Sequence, residues 1–226
     1  MPTRTGISTT RTVPAVIEAV LWDVGGVILS SPFEAFAAYE RRVGLPEGFI
    51  RGLNATDGDR NAWAKLERGE VDREEFAALF EEEARAKGGE LTGAEVLLAI
   101  EGEVRPEMVE AIRRIRGRLK FACLTNNLAP DPRKAVDHDR LAHVMEMFDV
   151  VVESSKAGCR KPEPRFYEIA CEGLGVEPSA CVFLDDLGIN LKPARAMGMT
   201  TIKVVDAAQA IAELEAVVGF ELRVSE

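Results

Sequence analysis

The sequence predicts an α/β protein, a doubly wound parallel sheet interrupted by an inserted helical cap subdomain. Three observations predict it. Short apolar runs recur without polar alternation, which is the pattern of strands covered on both faces. Helical periods fall between the later runs. A long stretch, residues 31–118, reads as helix and separates the first run from the second.

Residues 1–14 are rich in Thr and Arg and end at Pro14. They read as a flexible tail, since a transit peptide would show an amphipathic period. Ala19 to Trp22 is the first strand. Asp23 leaves it at once, and Gly25 and Gly26 follow, two residues that allow a tight turn and close approach of the backbone to a ligand. Ligands of open α/β sheets bind at the carboxyl ends of the strands, so Asp23 is expected in the crevice.

Within the insertion, Asp72 to Lys87 is the clearest helix. Asp72 caps it, Glu75 completes a capping box, and Phe76, Leu79, Phe80 and Ala84 form one stripe. Pro106 opens another helix carrying Val109, Ile112 and Ile115. A helical insertion directly behind the Asp23 loop forms a lid over the crevice. The expected organisation is therefore a tail (1–14), a core (15–30 and 119–226) and a helical cap (31–118). The remaining strands are Phe121 to Leu124, Val150 to Val152, Cys181 to Leu184 and Thr201 to Val205. Residues 164–174 make a helix with Pro164 in its first turn and Gly175 as its stop. Residues 207–218 make a terminal one.

Composition narrows the function. The chain has 226 residues and a net charge of −10, which disfavours nucleic acid or an anionic membrane as partner. No apolar run reaches membrane-spanning length. Cys123, Cys159, Cys171 and Cys181 form no Cys-x-x-Cys pair and read as reduced thiols of a cytoplasmic protein. His138 and His143 are too few and wrongly spaced for zinc. Arg113, Arg114, Arg116 and Arg118 read as charge at a helix C-terminus. Trp22 and Trp63 read as packing residues, with Trp63 also placed to face substrate.

Three further segments fall on the rim that Asp23 occupies. Thr125-Asn126-Asn127 follows the second strand, Lys161-Pro162 the third, and Asp185-Asp186 ends the fourth, with Asn190 just beyond. Each alone has a plain reading as a turn, a cap or a solvated lysine; their convergence is what carries chemistry. Asp23, Asp185 and Asp186 repel one another unless a cation joins them, and hard carboxylate oxygens select Mg²⁺. A hydroxyl, backbone amides and a lysine opposite them form an anion cradle. A carboxylate, Mg²⁺ and an anion cradle together suit phosphoryl transfer through an aspartyl-phosphate.

The ordered motifs Asp-x-Gly-Gly-Val, Leu-Thr-Asn-Asn, Arg-Lys-Pro-Glu-Pro and Phe-Leu-Asp-Asp-Leu-Gly-Ile-Asn resemble the haloacid dehalogenase-like (HAD) hydrolase superfamily. Within it, the chain is similar to the branch that holds the phosphatase domain of soluble epoxide hydrolases and the HAD domain fused to acyl-CoA dehydrogenases. The similarity runs from about residue 16 to 205 and is densest over 160–199. It implies that Asp23 is the nucleophile. The Gly25 carbonyl and Asp186 would join Asp23 on Mg²⁺, with Asp185 assisting beside them. Thr125 and the Asn126 amide would bind phosphate, Lys161 would neutralise it, and Asn190 would orient the Asp186 loop. The helical cap would set substrate choice. The implied activity is Mg²⁺-dependent hydrolysis of a phosphate monoester or an acyl or aryl phosphate, by a monomer or homodimer acting on a small phosphorylated substrate.

One position departs from the pattern. Most phosphatases of the superfamily carry a second Asp two residues after the nucleophile, as proton donor and acceptor; this chain has Gly25. Three readings follow: a leaving group that needs little protonation, a substitute carboxylate from the cap such as Asp57 or Asp59, or a domain that binds phosphate and turns over slowly; the alternative function is a non-catalytic phosphate-ligand or interaction module. The superfamily's 2-haloacid dehalogenases also lack this Asp, but they need no metal, and the Asp185-Asp186 pair argues against them.

Overall fold

The computed structural model describes residues 16–99, 102–127 and 138–222; the tail expected over residues 1–14 lies outside them. Five strands, β1 (Ala19–Trp22), β2 (Lys120–Thr125), β3 (Val150–Glu153), β4 (Cys181–Asp185) and β5 (Thr200–Lys203), form one sheet in the order β3-β2-β1-β4-β5. Every pairing is parallel. The last strand begins one residue earlier than its apolar run suggests and ends at Lys203.

Strand alternation builds two cores from one sheet. Val20 pairs with Phe121 and Val182, and all three face the side covered by α6 (Pro106–Ile115), α7 (His138–Met145) and α11 (Ala207–Val218). Leu21 pairs with Ala122 and Phe183 and faces α9 (Pro164–Leu174) and α10 (Gly188–Ala196). A buried Leu, Val or Phe contributes about 1.5–3 kcal/mol, and a one-residue slip would exchange the two faces. The register is therefore firmly held. β1 lies at the centre, and the chain steps outward from it in both directions, so the carboxyl edge of β1 is the sheet's switch point.

Helices α1 (Pro32–Val43), α2 (Phe49–Ala55), α3 (Ala62–Glu67), α4 (Arg73–Ala86) and α5 (Gly93–Ala99) enclose a third core of their own. The rings of Phe76 and Phe80 stack at 5.2 Å, and Trp63 meets Phe76 edge-on at 4.7 Å. Trp63 is thus a packing residue of this cluster. The expected capping box is formed: the Asp72 side chain accepts from Glu75 N, and the Glu75 side chain accepts from Asp72 N.

Two linkers tie this unit to the sheet. Leu29 bridges Val104 antiparallel, Ser30 N donates to Glu103 O at 2.8 Å, and Arg105 N donates to Ile28 O at 2.8 Å. The helix opened by Pro106 differs from expectation. The apolar face of α6 packs on the sheet and against α11 rather than with the inserted helices. A helical period reveals that a face is apolar, not which surface covers it. Among the described residues, no helix is long and apolar enough to cross a membrane.

Candidate active site

Asp23 follows β1 and is buried, its backbone N–H bonded to Leu184 O on β4 at 3.0 Å. Its Oδ1 accepts from Val24 N at 2.6 Å and from Lys161 Nζ at 2.6 Å. The next residues form an irregular turn closed by Leu29 N donating to Val24 O at 2.8 Å. Only one of the two glycines is required by its backbone. Gly26 has φ 75°, and a Cβ there would lie 2.3 Å from Asp186 Oδ2. Gly25 sits at φ −68°, ψ 127°, ordinary for any residue, and its Cβ would meet nothing within 4 Å. Of the two glycines, Gly26 alone brings the backbone close against Asp186.

Lys161 is 1% exposed, and its Nζ lies between Asp23 and Asp185, 2.8 Å from Asp185 Oδ2. Asp185 is fully buried and its oxygens are heavily bonded. Besides Lys161, Oδ1 accepts from Leu187 N at 2.8 Å, and Asn190 Nδ2 reaches both oxygens at 3.0 and 3.1 Å. Asn190 is itself held by Tyr167, whose hydroxyl donates to Asn190 O at 2.7 Å. The Asn190 side chain therefore holds Asp185, while its backbone N–H donates to Leu187 O at 3.0 Å, in the loop that follows Asp186. Asp186 is half-buried against Gly26.

Carboxylate oxygens of Asp23, Asp185 and Asp186 lie within 4.8 Å of one another. Burial is the main force on the protonation of Asp23 and Asp186. It raises Asp23 well above the usual carboxylate range; Lys161 opposes this and Asp185 reinforces it. Asp186 is pushed up to about 6 by burial and then by the Asp185 charge. Burial works against a charged Lys161, but Asp185 and Asp23 outweigh it and hold the ammonium above its ordinary value. Three carboxylates facing one ammonium form a site short of positive charge, with hard oxygen donors suited to a divalent ion.

Thr125 closes β2 and is buried. Asn126 spends its side chain on Lys161: Oδ1 accepts from Lys161 N at 2.8 Å, and Nδ2 donates to Lys161 O at 3.0 Å. Asn127 joins this loop to the end of β3 and to the short helix α8 (Ser154–Ala157), donating to Glu153 Oε1 at 2.8 Å and accepting from the Ser155 hydroxyl at 3.0 Å. The Lys161–Pro162 peptide is cis.

Sequence reasoning missed two residues. Glu67 ends α3 and reaches the core, where Oε2 accepts from Asn126 Nδ2 at 3.1 Å and lies 2.5 Å from Arg160 Nε. Burial raises its pKa against the opposing pull of Arg160. Arg160 also donates to Gly58 O at 2.9 Å. Asp57 and Asp59, the cap carboxylates considered from sequence, are exposed. His143 is exposed, 3.6 Å from Glu146, and the side chain of His138 lies outside the described residues. Arg113 and Arg114 pair with Glu110 on their own helix. All four cysteines are buried free thiols.

The family model for haloacid dehalogenase-like hydrolases matches residues 17–198. Acyl-CoA dehydrogenase family member 10 of Mus musculus is 37% identical over 90% of this chain, and Bifunctional epoxide hydrolase 2 of the same species is 33% identical over 90%. The chain spans only 19% and 39% of those two proteins. Phosphatase MT3486 of Mycobacterium tuberculosis is 31% identical, over 81% of this chain and 85% of its own length. Among solved structures, the HAD family enzyme BT-2542 of Bacteroides thetaiotaomicron, in complex with magnesium and inorganic phosphate, superposes with a TM-score of 0.59. That match is 19% identical and covers 88% of this chain and 98% of the other.

Proposed function

The chain belongs to the haloacid dehalogenase-like hydrolases, and from that premise we propose that it is a Mg²⁺-dependent phosphatase of small phosphorylated substrates, working through phosphorylated Asp23. The observation that carries this reading is the gathering of Asp23, Asp185 and Asp186 around buried Lys161. Relatives named as phosphatases support it.

The donor set fits the ion. Asp23, Asp186 and the Gly25 carbonyl would hold Mg²⁺, while Asp185 is engaged by Lys161, Leu187 and Asn190. When bound, the ion cancels the repulsion between the Asp23 carboxylate and an incoming phosphate. With Oδ1 held by Val24 and Lys161, Oδ2 is the attacking oxygen. It forms a bond to phosphorus as the bond to the leaving oxygen breaks. Lys161, kept protonated by its two carboxylates, turns to the phosphoryl oxygens as Asp23 loses its charge. The Thr125 hydroxyl and the Asn126 backbone N–H complete the cradle. Water then attacks phosphorus, releasing inorganic phosphate and restoring the Asp23 carboxylate. Gly25 offers the leaving oxygen no proton, so aryl and acyl phosphates are favoured over alkyl esters.

Phosphate release from 4-nitrophenyl phosphate, abolished by Asp23→Asn and by chelator, is the test. Gly25 also favours a second reading, a module that binds phosphate ligands without turnover. That reading predicts Mg²⁺-dependent thermal stabilisation by orthophosphate with no product from any phosphate ester.

A further inference from the structure

Glu67 is the one carboxylate of the inserted helices that an observed bond carries to the catalytic lysine's own clamp, among the described residues. A primary amide has two N–H donors. On Asn126 one is used by Lys161 O and the other by Glu67 Oε2, while Oδ1 takes Lys161 N. Two of the three bonds that fix the amide therefore come from Lys161, and the third comes from α3. Arg160, the residue before Lys161, also meets the insertion: its Nε is ion-paired with Glu67, and its Nη1 donates to Gly58 O in the turn before α3. Arg68 extends the contact to Glu163 at 3.8 Å.

We propose that Glu67 is a positioning residue: seated on the core, its carboxylate locks Asn126 and Arg160, and through them holds the Lys161 backbone where Nζ reaches Asp23 and Asp185. Substrate admission and lysine alignment then depend on the same contact. When the inserted helices lift away, Asn126 keeps one donor unpaired and Arg160 loses both partners. Asn126 and Arg160 are half-buried, and when the helices lift they exchange these fixed partners for mobile water, so the aligned lysine belongs to the seated arrangement. This inference rests on the phosphatase reading for its kinetic arm, and not for its structural one.

The experiment compares the full chain with Glu67→Ala and Glu67→Gln. Gln keeps an oxygen for Asn126 Nδ2 and gives up the charge facing Arg160. The expected kinetic result on 4-nitrophenyl phosphate is a kcat about tenfold lower for Glu67→Ala, equivalent to about 1.4 kcal/mol, with KM within about twofold and at least half of the kcat loss recovered in Glu67→Gln. The structural arm is hydrogen exchange across residues 159–163, which contain the Lys161 amide bonded to Asn126. Exchange there is expected to quicken in Glu67→Ala, and less so in Glu67→Gln, while exchange in β1 and β4 stays at the wild-type rate. A folded Glu67→Ala protein with wild-type kcat, or with unchanged exchange over 159–163, overturns the proposal. Should Glu67→Ala fail to fold, Glu67→Gln decides alone: wild-type exchange over 159–163 overturns the proposal, and quickened exchange supports it. Were the wild-type protein to hydrolyse nothing, the phosphatase reading would fail while the exchange result still judged Glu67.

Discussion

Gly25→Asp restores the proton carrier that this chain lacks, and the structure sets its cost. The backbone at Gly25 is at φ −68°, ψ 127°, where an L-residue is unstrained, and the new Cβ meets nothing within 4 Å. Replacing Gly at a compatible site stabilises a protein by about 0.4–1 kcal/mol through the unfolded chain. Repulsion from the neighbouring carboxylates works against this gain, so net stability should stay within about 1 kcal/mol of wild type. A general acid contributes about 10²–10⁴ in rate, roughly 3–5 kcal/mol of barrier at 1.36 kcal/mol per decade. Alkyl phosphates should gain most of that factor. Aryl phosphates with acidic leaving groups should gain little. The assay is kcat across phosphates of graded leaving-group pKa: steep for wild type, shallow for the variant. Parallel slopes from a folded, Mg²⁺-supplied variant would refute the argument that the site is otherwise complete.

Three further outcomes follow from the same geometry. Lys161→Met removes the ammonium between Asp23 and Asp185; urea unfolding at neutral pH should show a loss of about 3–5 kcal/mol, typical of breaking a buried ion pair, and a smaller loss would mean that the carboxylates are screened from one another. Asp186 is held up to about 6 by burial and the Asp185 charge, against an ordinary 3.8, so the folded protein binds that proton more tightly than the unfolded chain does. In chelator, wild type should therefore gain stability relative to Asp186→Asn as pH falls through about 6, with the gain complete below 3.8; melts whose difference is flat with pH would contradict this. Gly26→Ala forces a side chain into left-handed backbone, at about 1–2 kcal/mol, and 2.3 Å from Asp186 Oδ2. Calorimetric Mg²⁺ affinity should fall for Gly26→Ala and hold for Gly25→Ala.

Much of this site was legible because its parts lie at strand ends. An unbroken apolar run followed by Asp23 marks a sheet edge, and the parallel register then brings Asp185 level with it. The capping box at Asp72 was readable because it is local. What stayed hidden depends on contacts between distant segments. Neighbouring Gly25 and Gly26 look alike in sequence, and only the backbone separates the one that needs to be glycine. The apolar stripe of α6 could not say that α11 would cover it. Glu67 carries no local signal: a glutamate at the end of a short amphipathic helix is ordinarily solvated, and its burial follows only from where α3 comes to rest.

The measurement that bears most directly on the account is the search for a phosphoryl group on the protein. The enzyme is mixed with 4-nitrophenyl phosphate and Mg²⁺, quenched in acid during turnover, and digested for mass spectrometry. One acid-stable, hydroxylamine-sensitive phosphoryl group is expected on the peptide containing Asp23, absent from Asp23→Asn. Steady product release with no label on that peptide, or with the label elsewhere, would contradict it.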